Sequence, residues 1–269
     1  MKIKELLAES VQKTGNNDSA VVGWGRGMGH KGHMYLAHAV ISTANRLNAD
    51  PYFIVSETVG KDDPLLPDEK LEIYRTVFPN HANAFQTAKN LIDVLHELNN
   101  SGYKNCIVMV GEDQKNEFQY LLRYNGVPAK TTGNIIYSFD KLRVISRQES
   151  GDKYANEAGP RATPMRDILK NPDVTYEQKF NLWRESMPAK LDDGEVEHYM
   201  QLAAERMGFP VEQGLDEADN PNNGGAGMGS QSAIPGTPTD LSTTKPTPRE
   251  RKIAAINDRK TEKFMGHRR

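Results

Sequence analysis

A chain of 269 residues holds one domain of ordinary size with residues to spare, and its 37% hydrophobic content and mean hydropathy of −0.68 predict that part of it buries nothing. Its 34 basic and 36 acidic residues leave a net charge of −2, which removes any global electrostatic case for nucleic acid or an anionic membrane as partner. The single cysteine, Cys106, excludes an intramolecular disulfide, and its place in the apolar run NCIVMV predicts a buried thiol in a reducing, cytoplasmic setting.

The opening segment MKIKELLAESVQK has apolar residues at helical spacing but neither the long apolar core nor the cleavage site of a signal peptide. An N-terminal helix is expected over 1–18, and no segment approaches transmembrane length. Residues 19–25 form a compact apolar run ending in glycines. Lys31 to Leu47 then carries Met34, Leu36, Ala37, Val40, Ile41, Ala44 and Leu47 at helical spacing, so strand, tight turn and helix follow one another. PYFIVSE (51–57) reads as the next strand, PDEKLEIYRTVF and TAKNLIDVLHELNN as helices, NCIVMV (105–110) as a buried strand, DQKNEFQYLLRYN as a helix and KLRVISR (141–147) as a further strand.

Strand and helix thus alternate through about residue 170, which predicts an α/β, Rossmann-like domain over 19–170: a parallel sheet flanked by helices. C-terminal helices are expected over 171–212, with Phe180, Leu182, Trp183 and Met187 in one and Val196, Tyr199, Met200, Leu202 and Ala203 in the next, padding the sheet. From 213 to 248 the chain is rich in Gly, Pro, Asn, Ser and Thr, the composition of a flexible linker, and 249–269 is a basic tail.

Ligands of such sheets bind beyond the carboxyl ends of the strands, and the stretch VVGWGRGMGHKGHMYLA (21–37) sits at one of them. Glycines there let the backbone approach a ligand, and the free N–H groups of a helix start favour an anion such as phosphate. Gly27 to Gly32 formally matches the G-x-G-x-x-G dinucleotide fingerprint, with Glu57 as the ribose-binding acid of a dehydrogenase. That match leaves His30 and His33 without a role. Their i,i+3 spacing puts both rings on the first helical turn beside the anion site. A metal site, structurally satisfied histidines and phosphate-directed catalysis all compete for the pair. His38 lies roughly 140° further round the helix and supplies no third metal ligand.

His30-Lys31-Gly32-His33 resembles the H-x-G-H signature of the nucleotidyltransferase superfamily, which includes cytidylyltransferases and adenylyltransferases. Gly159 to Arg166, GPRATPMR, resembles the family's later I-S-S/A-T-x-x-R motif, and Val110-Gly111-Glu112-Asp113 its G-x-D turn. The stretch SETVGKDDPLLPDEKLEIYRTVFP is similar to phage-encoded cytidylyltransferase-like proteins, with a P-L-x-x-x-x-K-L helix ending in F-P. The glycine loop departs from the usual G-R/T-F-x-P-x-H: it is one residue shorter and lacks the aromatic residue and the proline. Arg161 stands where the motif usually has Ser.

The resemblance implies an enzyme that moves a nucleoside monophosphate from ATP or CTP to a phosphorylated small molecule, with release of pyrophosphate and with Mg2+ carried on the triphosphate. His30 and His33 would be catalytic. Trp24, Gly25, Arg26, Gly32, Gly111, Asp113, Thr163 and Arg166 would bind nucleotide. Read from the residues alone, Trp24 at a strand end either stacks on a ligand ring or packs in the core, and Lys31, Lys61 and Lys70 either touch phosphate or stand solvated at the surface. Two alternatives stand beside it: a non-catalytic nucleotide-binding or virion-associated assembly module, and the dehydrogenase. The tail adds a possible partner, since residues 245–269 carry nine Lys or Arg against three Asp or Glu around Ile253, Ile256 and Phe264, a pattern suited to an acidic protein surface or nucleic acid.

Overall fold

Along β1 (Ser19–Gly25), Ala20, Val22 and Trp24 point to one side and Val21, Gly23 and Gly25 to the other, and both sets are buried. A strand covered on both faces needs apolar residues throughout, which is why this run lacks polar alternation. It lies at the centre of a five-stranded sheet with β2 (Asp50–Ser56), β3 (Phe85–Ala88), β4 (Asn105–Val110) and β5 (Lys141–Ser146) in the order β3-β2-β1-β4-β5. All neighbours are parallel, and Val22 stands opposite both Tyr52 and Val108. This computed structural model describes residues 17–130 and 132–209, and within them the α/β, Rossmann-like architecture expected from the sequence is present.

Two cores cover the two faces. Val21, Phe53 and Val55 pack beneath α1 (Lys31–Leu47) and α2 (Pro67–Val77), in one cluster with α6 (Ala162–Lys170), α7 (Tyr176–Ser186) and α8 (Asp193–Met207). Trp183 is fully buried there and donates its indole N–H to Met165 O at 3.0 Å. Arg206 of α8 makes two bonds to Glu69 of α2, at 2.5 and 2.8 Å, which lock the C-terminal helices to the domain. On the other face Ala20, Val22, Tyr52, Ile54 and Val108 meet Leu91, Val94, Leu95 and Leu98 of α3 (Leu91–Asn100). Cys106 is buried in this second core, which raises its thiol pKa far above the usual range.

Two elements differ from the expectation. The segment read as one helix from Thr87 begins instead as the edge strand β3, and its helix starts at Leu91, after Asn90 accepts a hydrogen bond from Asp93 N–H. Four residues are too few to display a period of two, and β3 is fixed by pairing with β2, Phe53 opposite Phe85. The helix expected over DQKNEFQYLLRYN is broken into a 3₁₀ turn at Glu112–Gln114 followed by α4 (Lys115–Phe118) and α5 (Tyr120–Tyr124).

The chain divides into two units, Met1–Asp216 and Glu217–Arg269. The expected linker and basic tail, and all but the last two residues of the expected N-terminal helix, lie outside the described residues. Among the described residues no helix is long and apolar enough to cross a membrane.

Candidate functional site

The carboxyl ends of β1, β4 and β5 open into one cleft of about 1150 Å³, bounded also by the β2–α2 loop and by the chain entering α6. The strand order dictates this place. The helix after β1 packs on one face of the sheet and the helices after β4 on the other, so the chain parts between these two neighbouring strands.

From β1 the chain runs through the glycine loop to α1. Gly27 takes a left-handed conformation, φ 86°, and donates its N–H to Asp63 Oδ2 at 3.3 Å. Met28 is fully buried, and a Cβ on Gly29 would come within 2.8 Å of Ile73, so the loop is pressed onto the core. It delivers His30 to the N-cap of α1, with no side-chain capping bond, and His33 one turn later. The two rings stack, with centroids 4.1 Å apart and planes at 18°.

Both imidazoles line the cleft, His30 buried and His33 half-buried. Burial and then the neighbouring Arg166 charge lower the His30 pKa to about 4; burial, then His30 and Lys70, hold His33 well below its usual range. Near neutral pH both rings are uncharged. Each Nδ1 is buried without a hydrogen-bond partner among the described residues. An unmet N–H costs more in such a place than an unmet lone pair, so the proton belongs on Nε2, the ring atom left to meet the cleft. The pair therefore offers two neutral N–H donors.

Beside them begins α6. Its N-cap, Arg161, also makes no side-chain capping bond, and Thr163 and Arg166 lie three residues apart on one face. Arg166 donates to Asp62 O at 3.0 Å and to Thr163 Oγ1 at 3.3 Å. The α6 approach lies directly on α1: a Cβ on Gly159 would fall 2.4 Å from Gly32 Cα, and one on Gly32 would fall 2.8 Å from Pro160 O. Gly32 thus serves the site by letting two helix starts, far apart in sequence, face one space.

The other expected residues divide. Arg26, Gly111, Asp113, Thr163 and Arg166 line the cleft with the histidines; Asp113 is exposed and folds back so closely that a Cβ on Gly111 would stand 2.9 Å from its Oδ1. Trp24 also lines it, but its ring is 4% exposed, so no face is open for stacking; its buried indole N–H has no partner among the described residues. Gly25 is not in the lining. A Cβ there would meet the Phe53 ring at 2.8 Å, so this glycine makes room for the core.

The three lysines are spoken for or elsewhere. Lys70 is fully buried and donates to Ser56 O at 3.1 Å, Thr58 O at 2.8 Å and Asp63 Oδ2 at 2.6 Å, which uses all three of its protons. Lys31 reaches Glu185 O at 2.5 Å, and Lys61 is exposed outside the lining. His38 pairs with Asp152 at 2.9 Å, also outside the lining. Among the described residues no three His, Cys, Asp or Glu side chains stand together as a metal site.

Sequence reading missed Thr58, Asp63 and Arg147, which line the cleft. Arg147 immediately follows β5, and the rule that marked Gly111 at the end of β4 would have marked it too. Asp63 carried no signal of its own within KDDP. No family model, curated protein or solved structure matches this chain.

Proposed function

We propose that this cleft is the active site of a nucleotidyltransferase acting on ATP or CTP and a phosphorylated small molecule. The observation that carries the reading is the meeting of two neutral imidazole donors with Thr163 and Arg166 at an uncapped helix start in a single cleft. An oxygen of the acceptor's phosphate attacks the α-phosphorus of the triphosphate in line, the bond to the bridging oxygen breaks, and pyrophosphate leaves with that electron pair. The two Nε2–H groups stabilise the charge that builds on the α-phosphate, and being neutral they need no proton transfer to act. Arg166, Thr163 and the first N–H groups of α6 hold the β- and γ-phosphates.

Magnesium carried on the triphosphate would supply charge neutralisation on the departing pyrophosphate. The dehydrogenase alternative is disfavoured because Glu57 lies outside the cleft lining and accepts a hydrogen bond from Thr87 at 3.2 Å. Pyrophosphate release, measured with each triphosphate, magnesium and a panel of phosphorylated acceptors, tests the reading. Release dependent on one acceptor supports it. Silence across the panel with saturable nucleotide binding points instead to the non-catalytic binding module.

A further inference from the structure

Three polar contacts of the C-terminal helices α7 and α8 reach three different elements of the cleft, each beside a residue of the site. Lys31, between His30 and His33, donates to Glu185 O of α7 at 2.5 Å. Trp183 of α7 donates to Met165 O, between Thr163 and Arg166 of α6, at 3.0 Å. Arg206 of α8 donates through Nη1 to Pro64 O, next to Asp63 in the β2–α2 loop, at 3.0 Å, and the same guanidinium forks onto Glu69 of α2. The loop contact reaches furthest into the site. Buried Lys70 holds the loop at Ser56 O, Thr58 O and Asp63 Oδ2, and Arg206 holds its end at Pro64. Two residues before Pro64 stands Asp62, whose side chain is 93% exposed and whose carbonyl oxygen accepts from Arg166 Nη1 at 3.0 Å. A second bond, from Arg166 Nη2 to Thr163 Oγ1 at 3.3 Å, fixes the guanidinium plane, and each of these nitrogens keeps a second N–H for phosphate.

We infer that α7 and α8 are a working part of the site, and that Arg206 is the positioning residue through which α8 sets the direction of Arg166. Arg206 fixes Pro64 O, the backbone carries that constraint back two residues, and Asp62 O aims the Arg166 guanidinium. This rests on the reading of Arg166 as a phosphate ligand. Arginine suits the task because its rigid fork meets the Pro64 carbonyl and both Glu69 oxygens at once, so the tie is held in direction as well as in length. Arg206 does not line the cleft, so its effect on a ligand passes through residues that do. Without the tie the Asp62 carbonyl is less narrowly placed, Arg166 spreads over more orientations, and ordering it on a phosphate costs affinity.

Inorganic pyrophosphate, titrated calorimetrically into the full chain, reads the anion site without an acceptor or turnover. Arg206→Met keeps an apolar stem and removes the donors. It is expected to weaken pyrophosphate binding roughly 3-fold to 10-fold, within the range for residues coupled through a shared stretch of backbone, and to cause no further loss in a chain that already carries Arg166→Ala. Asp192→Ala weakens the same helix at its cap, away from the loop, and should leave the affinity unchanged, which a purely structural role for Arg206 would not distinguish. Binding by Arg206→Met equal to wild type, an equal loss with and without Arg166, or an equal loss in Asp192→Ala overturns the assignment while leaving the anion site standing. Where Arg166→Ala binds too weakly to titrate, the contrast between Arg206→Met and Asp192→Ala decides. If a thermal melt shows that Arg206→Met does not fold, Arg206→Lys carries the same comparisons, since one ammonium cannot reproduce the fork. Failure of the wild type to bind pyrophosphate removes the anion site and this inference with it.

Discussion

Five helix starts of this protein form two contrasting groups. Away from the cleft, α3, α7 and α8 are closed by side chains: Asn90 accepts from Asp93 N–H, Thr175 and Gln178 cap one another, and so do Asp192 and Glu195. At the cleft, α1 and α6 begin at His30 and Arg161 with no side-chain cap. A cap contributes about 1 kcal/mol to stability, so α1 and α6 forgo a stabilisation that α3, α7 and α8 take. What the cleft helices keep is a set of N–H donors and a positive dipole end, which favour an anion. The difference sets the cleft apart by what folding leaves unmet there.

The buried imidazoles carry that difference furthest, and they supply the largest expected effect. His30 stays neutral in the folded protein down to about pH 4, whereas in the unfolded chain it takes up a proton near 6.5. Between these values the unfolded state binds more protons, so stability is full above pH 6.5 and is lost as pH falls towards 4. For His30 the loss is about 3 kcal/mol, and His33, lowered in the same direction, adds to it. Urea unfolding of the wild type and of His30→Ala across this window should show a shallower pH slope in the variant. Equal slopes would mean that His30 is not held neutral. Turnover, if the neutral donors act as proposed, should not fall between pH 8 and 6 through the histidines.

His33→Ala comes next, with turnover expected to fall by roughly 10² or more and little change in nucleotide affinity, as for the loss of an oxyanion donor. Single-turnover rates and equilibrium binding distinguish this from a binding defect. Arg166→Ala is expected to act on the other side: triphosphate affinity falls about 10-fold or more, and raised salt reproduces part of the loss in the wild type. Normal binding by a folded Arg166→Ala would detach α6 from the site.

How much of this was legible in the sequence depended on whether the cause was local. β1 and α1 were readable because 19–25 is a compact apolar run ending in glycines and 31–47 carries its apolar residues at helical spacing. The histidine pair and the Thr163–Arg166 pair were readable as motifs, and the sheet brings both to one space. Gly25 and Lys70 were not, because their roles are set by distant partners. A glycine before a histidine motif looks like room for a ligand until Phe53, from the next strand, is found against it. A lysine in a polar helix looks solvated until Asp63 and two carbonyls are found to hold it. Whether Trp24 stacks or packs was likewise open in the sequence, because the exposure of an indole at a strand end depends on the whole second core.

The smallest expected effect tests the comparison of helix starts most directly, because it predicts opposite signs at two caps. Asp192→Ala removes the α8 cap and should cost about 1 kcal/mol of stability with no change in pyrophosphate affinity, since Asp192 is not in the cleft lining. Arg161→Asp adds a capping carboxylate to α6, where the N-cap backbone is already extended, φ −107° and ψ 153°, as a capping residue requires. That variant should gain about 1 kcal/mol in urea unfolding and lose pyrophosphate affinity, because its carboxylate takes up the N–H groups and repels the anion from the same helix end. Arg161→Ala separates the two contributions: it deletes the cation without adding a cap, so whatever affinity Arg161→Asp loses beyond it belongs to occupation of the helix start. If Arg161→Asp gains stability and binds pyrophosphate as well as Arg161→Ala does, the open start of α6 is a folding accident and the anion is held by Arg166 and the histidines alone.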